Sequence, residues 1–156
     1  MKLGLLIGGS VIIAVGTILT VVFTIIGRVQ RTRLAAARAA LQAEGIRLDS
    51  GLVGGTARFR GFSAPGMYEG GAIRGVRSCL VLTDKQLAIL GGRPAFHTPR
   101  GELSRWQVGL DGARLRLVSD DPPGAKGHVD LRLAVPDAEA WVAALREAGC
   151  PALSAA

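Results

Sequence analysis

Aromatic residues are scarce in this chain, which has four Phe, two Trp and one Tyr among 156 residues. Proteins that bind single-stranded nucleic acid stack the bases on exposed aromatic side chains. The composition therefore argues against a nucleic-acid partner. We expect Trp106 and Trp141 to be core residues, in a core built mostly from Leu, Val, Ile and Ala.

Cysteine and histidine are also rare, with two residues of each. Cys79 lies in an apolar run and is predicted to be a small core residue. Cys79 and Cys150 alone do not make a disulfide framework in a domain of this size. His97 and His128 have no third ligand near them in sequence, so no metal site is predicted. No nucleophile, base and orienting acid have a catalytic spacing. We therefore expect no catalytic residues, no cofactor and no enzyme activity.

Charge is absent between Leu3 and Ile26, a run of 24 residues. A helix rises about 1.5 Å per residue, so this run is long enough to cross a hydrocarbon core of about 30 Å. It is longer than the apolar region of a secretory signal, about 7–15 residues, and no small-residue cleavage site follows it. The sequence predicts a transmembrane anchor over residues 1–27. One face of that helix would carry small residues that allow helix packing and self-association, namely Gly4, Gly8 and Gly16.

The charges that are present are mostly arginine and unevenly spread. Sixteen Arg and three Lys face 12 Asp and Glu, for a net charge of +7. Residues 28–43 carry +4, residues 50–110 carry +5 and residues 111–156 carry −2. Basic residues after the apolar run outnumber Lys2 before it, which predicts an inner-membrane protein with a cytoplasmic carboxyl-terminal domain. These membrane-proximal residues are Arg28, Arg31, Arg33 and Arg38. They suit an anionic lipid surface, or they serve only to fix topology.

Residues 28–50 are predicted to form a basic, alanine-rich helical stalk. The stretch has no Gly or Pro before Gly45, and Ala and Arg are strong helix formers. Gly45 is a plausible helix stop. The folded domain would then span residues 51–150, followed by a tail over residues 151–156.

Short apolar or alternating runs separated by turn residues predict about seven strands in this domain. Asp84-Lys85 and Asp111-Gly112 are expected to be hairpin turns. Leu115 and Leu117 alternate with arginines, as in a half-buried strand. A closing amphipathic helix is predicted between Pro136 and Gly149. The strand candidates are residues 56–61, 78–83, 86–90, 95–98, 103–110, 113–118 and 129–135.

The run Cys79-Leu80-Val81-Leu82-Thr83-Asp84-Lys85-Gln86-Leu87, the Asp111-Gly112 hairpin and the closing helix with Trp141 resemble the pleckstrin-homology-like superfold, including bacterial PH and GRAM-type domains. The likeness covers roughly residues 54–149. It implies an α+β, mainly β fold class. An N-terminal transmembrane helix and stalk would precede a bent barrel of about seven strands in two sheets, closed by the C-terminal helix. It also implies binding of phospholipid headgroups, peptides or proteins rather than catalysis.

The same resemblance indicates a candidate binding site. Arg58 and Arg60 flank Phe59 and so share one strand face, and Arg74 and Arg77 follow in a glycine-rich stretch. In lipid-binding members of the resembled family, basic residues of the first two strands hold the headgroup phosphates. Arginine suits phosphate because its fork of donors binds two oxygens at once. The alternative is that all four are solvated strand arginines.

These features predict a single-pass membrane protein with a PH-like domain. That domain would act as a binding or scaffold module for a protein partner or anionic phospholipid at the inner leaflet of a bacterial membrane. The alternative is an accessory subunit of a larger membrane complex, in which the spanning helix packs against partner helices.

Overall fold

A computed structural model describes residues 32, 34–65, 67–92 and 94–153 of the protein, with the backbone alone at 67–70 and 72–74. The chain divides into two units, Met1–Ala37 and Arg38–Ala156, and the sheet belongs to the second. Several predictions fall outside the described residues. These are the anchor over residues 1–27, its packing residues Gly4, Gly8 and Gly16, and the basic residues Arg28, Arg31 and Arg33.

The second unit is built on one antiparallel sheet of seven strands. Its strand order is β4-β3-β2-β1-β7-β6-β5. A 3-10 helix (Arg100–Arg105) lies between β4 and β5, and helix α1 (Ala138–Glu147) follows the last strand. The strands are β1 (Ile46–Ala64), β2 (Met67–Thr83), β3 (Gln86–Leu90), β4 (Phe96–Pro99), β5 (Gln107–Asp111), β6 (Arg114–Ser119) and β7 (Lys126–Leu133).

Strand β1 joins the two halves of the sheet. It pairs with β2 along its whole length and with β7 along its second half, from Gly55 to Ser63. Residues that lie far apart in the sequence thereby become neighbours on β2, β1, β7 and β6.

The two predicted hairpin turns are confirmed. At Asp84-Lys85, the Thr83 hydroxyl accepts hydrogen bonds from the backbone N–H groups of Lys85 and Gln86, at 3.2 and 3.0 Å. At Asp111-Gly112, Gly112 adopts a φ of 59°. Tight hairpin turns favour glycine there because it enters the left-handed region without steric cost.

Aromatic side chains form a continuous line through the core. Phe62 contacts Phe59 and Phe96 at centroid distances of 5.0 and 6.1 Å, and Phe96 meets Trp106 edge-on at 5.4 Å. Trp106 is fully buried, and its Nε1 donates to Thr98 Oγ1 at 2.9 Å. Trp141 is also buried, on the helix α1 that packs against β5 and β6. The prediction that both Trp residues are core residues is confirmed.

The fold class predicted from the sequence was wrong. The strands form a single curled sheet, a half-barrel in which β4 and β5 do not pair, rather than two sheets of a closed bent barrel. In addition, among the residues that the structure describes, no helix has the length and apolar character needed to cross a bilayer. Helix α1, for example, has 10 residues, or about 15 Å, and carries Glu139 and Arg146.

The stalk prediction also differs from the structure. The helical residues end at 42, Gly45 adopts a φ of 79°, and β1 begins at Ile46, inside the predicted stalk. Leu41 is buried, and the Glu44 carboxylate accepts from Gln86 Nε2 at 3.0 and 2.9 Å. These contacts hold residues 41–44 against the β2–β3 hairpin.

The stretch from Leu103 to Trp106 was predicted to be a strand and is not one. Leu103 and Trp106 are both buried, although they lie three residues apart. That spacing suits one turn of 3-10 helix, in which residues i and i+3 share a face. Strand β5 therefore begins only at Gln107.

The chain after α1 covers the outer edge of β5. Val108 N donates to the Pro151 carbonyl at 2.9 Å, and Leu153 N donates to the Val108 carbonyl at 2.8 Å. A parallel bridge joins Val108 to Ala152. An unpaired strand edge is a site for unwanted pairing with other chains, and residues 151–153 occupy this one.

Candidate anion-binding surface

The outer face of the sheet, opposite the aromatic core, carries a cluster of arginines. On β7, Val129, Leu131 and Leu133 belong to the core, so the alternating residues belong to the outer face. The strand register extends this face across three strands. It sets Arg58 of β1 opposite Asp130, Arg60 opposite His128, and Arg116 of β6 opposite Arg132. We call Arg58, Arg60, Arg116 and Arg132 the outer-face cluster.

Asp130 is the buried centre of this cluster. Its side chain is only 4% exposed. Arg116 binds it with two parallel hydrogen bonds, from Nε to Oδ1 at 3.1 Å and from Nη2 to Oδ2 at 2.9 Å. Arg132 Nη2 donates a longer bond to Oδ2 at 3.4 Å. Such a two-point pair fixes the plane of the Arg116 guanidinium as well as its distance.

The surroundings of Asp130 keep its carboxylate ionised. Burial alone would raise its pKa, because it disfavours the charged form. Hydrogen bonds from Arg116 and Arg132, together with their positive charges, outweigh burial and lower the pKa of Asp130 below its ordinary value. The carboxylate is therefore a permanent anionic anchor for both arginines at neutral pH.

Arg132 is held from two sides. Its Nη1 donates to Asp111 Oδ2 at 2.9 Å, while its Nη2 reaches Asp130. A guanidinium has five N–H donors. Arg116 and Arg132 each use two of them in these bonds, so each retains three for a ligand.

Arg58 and Arg60 differ from the other two arginines because neither pairs with a carboxylate in the part of the chain that the structure describes. Arg58 is half-buried and Arg60 is exposed. Four arginines with the carboxylates of Asp130 and Asp111 leave a formal charge of +2 on the cluster. The charge not neutralised within the protein lies on β1.

On the β2 side of the cluster, two positions are glycine and carry no side chain. Gly71 and Gly75 lie opposite Arg60 and Thr56 in the register. A Cβ atom built on either glycine would meet nothing within 4 Å. The surface beside Arg60 is therefore open to a group as large as a headgroup phosphate.

The strand register gives the backbone position of each arginine predicted as a site. Arg58 and Arg60 share the outer face. Arg77 pairs with Gly54, four residues along β1 from Arg58, or about 13 Å. Residue 74 pairs with Ala57, a member of the buried set. Arg74 and Arg77 are three residues apart, and strand residues share a face only at even spacing.

Arg116 and Arg132, which complete the cluster, were not predicted from the sequence. The alternation of Leu115 and Leu117 with arginines did place Arg116 on the outer side of a strand. What the sequence did not show was that β7 lies between β1 and β6. That pairing brings Arg58 and Arg116 to opposite sides of Asp130.

Arg38, which was predicted to be a membrane-proximal basic residue, has a partner within the folded unit. It forms an ion pair with Asp49, whose Oδ1 also accepts from Gly51 N at 2.8 Å. Burial opposes ionisation of Asp49, but these hydrogen bonds outweigh it and lower its pKa. Arg38 thus ties the end of the helical segment to β1.

Neither cysteine nor histidine forms a reactive or metal-binding centre within the described ranges. Burial raises the pKa of the Cys79 and Cys150 thiols to about 11. His128 Nδ1 lies 2.7 Å from Asp120 Oδ1 at the margin of the cluster. Among the described residues, no group of three or more His, Cys, Asp or Glu could hold a metal ion.

None of the three clearest cavities of the second unit is lined by an arginine of the outer-face cluster. The largest of the three, about 690 Å³, is lined mainly by proline and alanine, with Phe96, Glu102 and Arg105. A second, about 390 Å³, lies between the 3-10 helix and the end of β6. The cluster is thus an open surface rather than a pocket.

No family model, curated protein or solved structure matches this chain. The pleckstrin-homology-like resemblance therefore stays a prediction.

Proposed function

We propose that this protein is a non-catalytic binding module that binds an anionic membrane surface through the outer-face cluster. The observation that carries the proposal is that Arg58 and Arg60 pair with no carboxylate among the described residues and lie beside two further arginines that buried Asp130 holds in place. Such a surface offers phosphate groups both free charge and fixed donors.

The expected affinity is modest. A basic residue close to an anionic membrane surface contributes about 1 kcal/mol. Arg58 and Arg60 together therefore contribute about 2 kcal/mol, or about a 30-fold change in binding. This attraction weakens with salt, because the Debye length falls from about 10 Å at 0.1 M to about 3 Å at 1 M.

Vesicle flotation of the full chain tests this function. The quantity of interest is the gain in binding when anionic phospholipid is added to neutral vesicles, because that difference removes any contribution from the apolar run at residues 3–26. Replacing Arg58 and Arg60 with Gln is expected to remove most of the gain. A chain whose binding does not respond to anionic lipid would contradict the proposal.

A further inference from the structure

Building on the proposed function, we propose that the outer-face cluster selects lipid headgroups that end in a phosphate monoester, and that Asp130 is the positioning residue behind this selectivity. Asp130 does so by holding Arg116 and Arg132 in one orientation. The proposal separates recognition of a particular group from attraction to negative charge in general.

Three arginines of the cluster surround Asp130. Arg58 lies opposite Asp130 on β1, Arg116 binds it from β6 on the other side, and Arg132 binds it from two residues along β7. A phosphate monoester has three terminal oxygens and a charge of about −1.5 to −2 at pH 7. It can accept from guanidinium groups on both sides of Asp130 at once. A carboxylate or a phosphodiester has two free oxygens and a single charge, so it satisfies fewer of these donors.

Two of these arginines are held in place before any ligand binds. Arg116 is held by two hydrogen bonds to Asp130, and Arg132 is held between Asp130 and Asp111. Long side chains lose rotamer freedom when they bind a ligand, and this loss weakens binding. Here that freedom is already lost in the unbound protein, so the ligand meets donors whose direction is fixed.

The shape of the surface favours a lipid headgroup over a small soluble ligand as the source of the phosphate. The cluster lies on an open sheet face and lines none of the three clearest cavities. Small soluble ligands are typically enclosed over most of their surface. An open, positively charged face with space above Gly71 and Gly75 fits a phosphate that a membrane presents. We therefore assign the ligand to a lipid headgroup.

Substitution of Asp130 tests the proposal, because the loss of its negative charge and the loss of its positioning role have opposite effects on membrane binding. Asp130→Asn removes a negative charge from the cluster, so general electrostatic attraction to an anionic surface would strengthen. The same change removes the anionic acceptor of the Arg116 fork, so selective binding of a monoester would weaken.

The experiment measures binding of the full chain to two kinds of vesicle, phosphatidylcholine mixed with phosphatidic acid and phosphatidylcholine mixed with phosphatidylserine. The two mixtures are adjusted so that the vesicles have equal surface potential. The unsubstituted protein is expected to bind the phosphatidic acid vesicles about tenfold more tightly, the effect of one additional charge-assisted hydrogen bond. Asp130→Asn is expected to abolish this preference while binding of phosphatidylserine vesicles stays equal or increases.

Two matched variants serve as controls. Asp111→Asn adds the same charge as Asp130→Asn but releases only one side of Arg132 and leaves the Arg116 fork on Asp130, so the preference is expected to fall much less than in Asp130→Asn. Arg116→Lys keeps the charge but lacks the fork, so the preference is expected to fall. Arg116→Lys also decides the question if Asp130→Asn does not fold, as a thermal melt would show.

Each remaining outcome has a defined meaning. Equal binding of both vesicle types by the unsubstituted protein overturns the monoester proposal and leaves the proposed function intact. If the unsubstituted protein binds neutral and anionic vesicles equally, the proposed function itself is overturned. Preference that survives Asp130→Asn overturns the role of Asp130. Inorganic phosphate that displaces the protein from vesicles at micromolar concentration overturns the assignment to a lipid headgroup.

Discussion

Arg58 and Asp130 lie directly opposite each other on β1 and β7, yet the Asp130 carboxylate is bound by Arg116 and Arg132 instead. Arginines and carboxylates thus alternate on one face, and Arg58, which lies opposite the buried carboxylate, donates to no carboxylate within the described ranges. This arrangement produces both the stability and the binding predictions that follow.

Removing Arg116 is expected to destabilise the fold more than removing the charge of Asp130. Arg116→Ala leaves a carboxylate that is 4% exposed with only the 3.4 Å bond from Arg132, at a cost of about 2–3 kcal/mol. Asp130→Asn leaves Arg116, which is 29% exposed and can reach water, so the cost is about 1 kcal/mol. Urea unfolding of both variants measures the difference. The reverse order would contradict the account of Asp130 as a buried charge.

The contribution of Asp130 to stability is expected to disappear in acid. Its pKa is lowered in the folded protein relative to the ordinary value of 3.8. The folded state therefore gains stability from this group above pH 3.8 and loses it as the pH falls from there through the lower folded pKa. The difference in unfolding free energy between the unsubstituted protein and Asp130→Asn should be constant near neutrality and shrink in acid. A difference that grows in acid would contradict the lowered pKa of Asp130 in the folded protein.

Deletion of residues 151–156 is expected to promote self-association. The deletion removes the hydrogen bonds from residues 151–153 to Val108 and uncovers the edge of β5, where Leu110 is already 44% exposed. Unprotected edges pair with other chains. Size-exclusion chromatography should show larger species for the truncated chain than for the full chain under the same conditions. An unchanged elution profile would mean that these residues do not protect the edge.

Both thiols are expected to be inert in the folded protein. Cys79 and Cys150 are almost fully buried, and burial raises the pKa of each to about 11, from 9.0. At pH 8 the thiolate fraction falls about 100-fold relative to an unperturbed thiol, and the thiolate is the reactive form. Titration with a thiol reagent should give a slow reaction that urea accelerates. A rapid reaction of either thiol in the native protein would contradict the burial.

The fold could be predicted from the sequence where local chemistry decides the structure. Asp111-Gly112 forms a hairpin because glycine enters the left-handed region, and Leu115 and Leu117 face the core because strand residues alternate. The apolar pattern around Leu103 and Trp106 was misread because, in so short a run, periodicity does not distinguish a strand buried on both faces from one turn of 3-10 helix.

The binding surface could be predicted only in part. Arg58 and Arg60 share a face by simple alternation, and that much was correct. Their neighbours Asp130 and Arg132 come from a strand some seventy residues away, and no local pattern specifies which strands pair.

The most direct test of the central claim is the binding of full-length Arg58→Gln/Arg60→Gln to anionic vesicles, measured against Arg100→Gln/Arg146→Gln. Both double variants lose two charges, but Arg100 and Arg146 are exposed residues of the 3-10 helix and α1, away from the cluster. We predict that the Arg58/Arg60 variant loses about 30-fold in the anionic-lipid-dependent binding and that the control variant loses much less. Equal losses in the two variants, or none in either, would contradict the assignment of binding to the outer-face cluster.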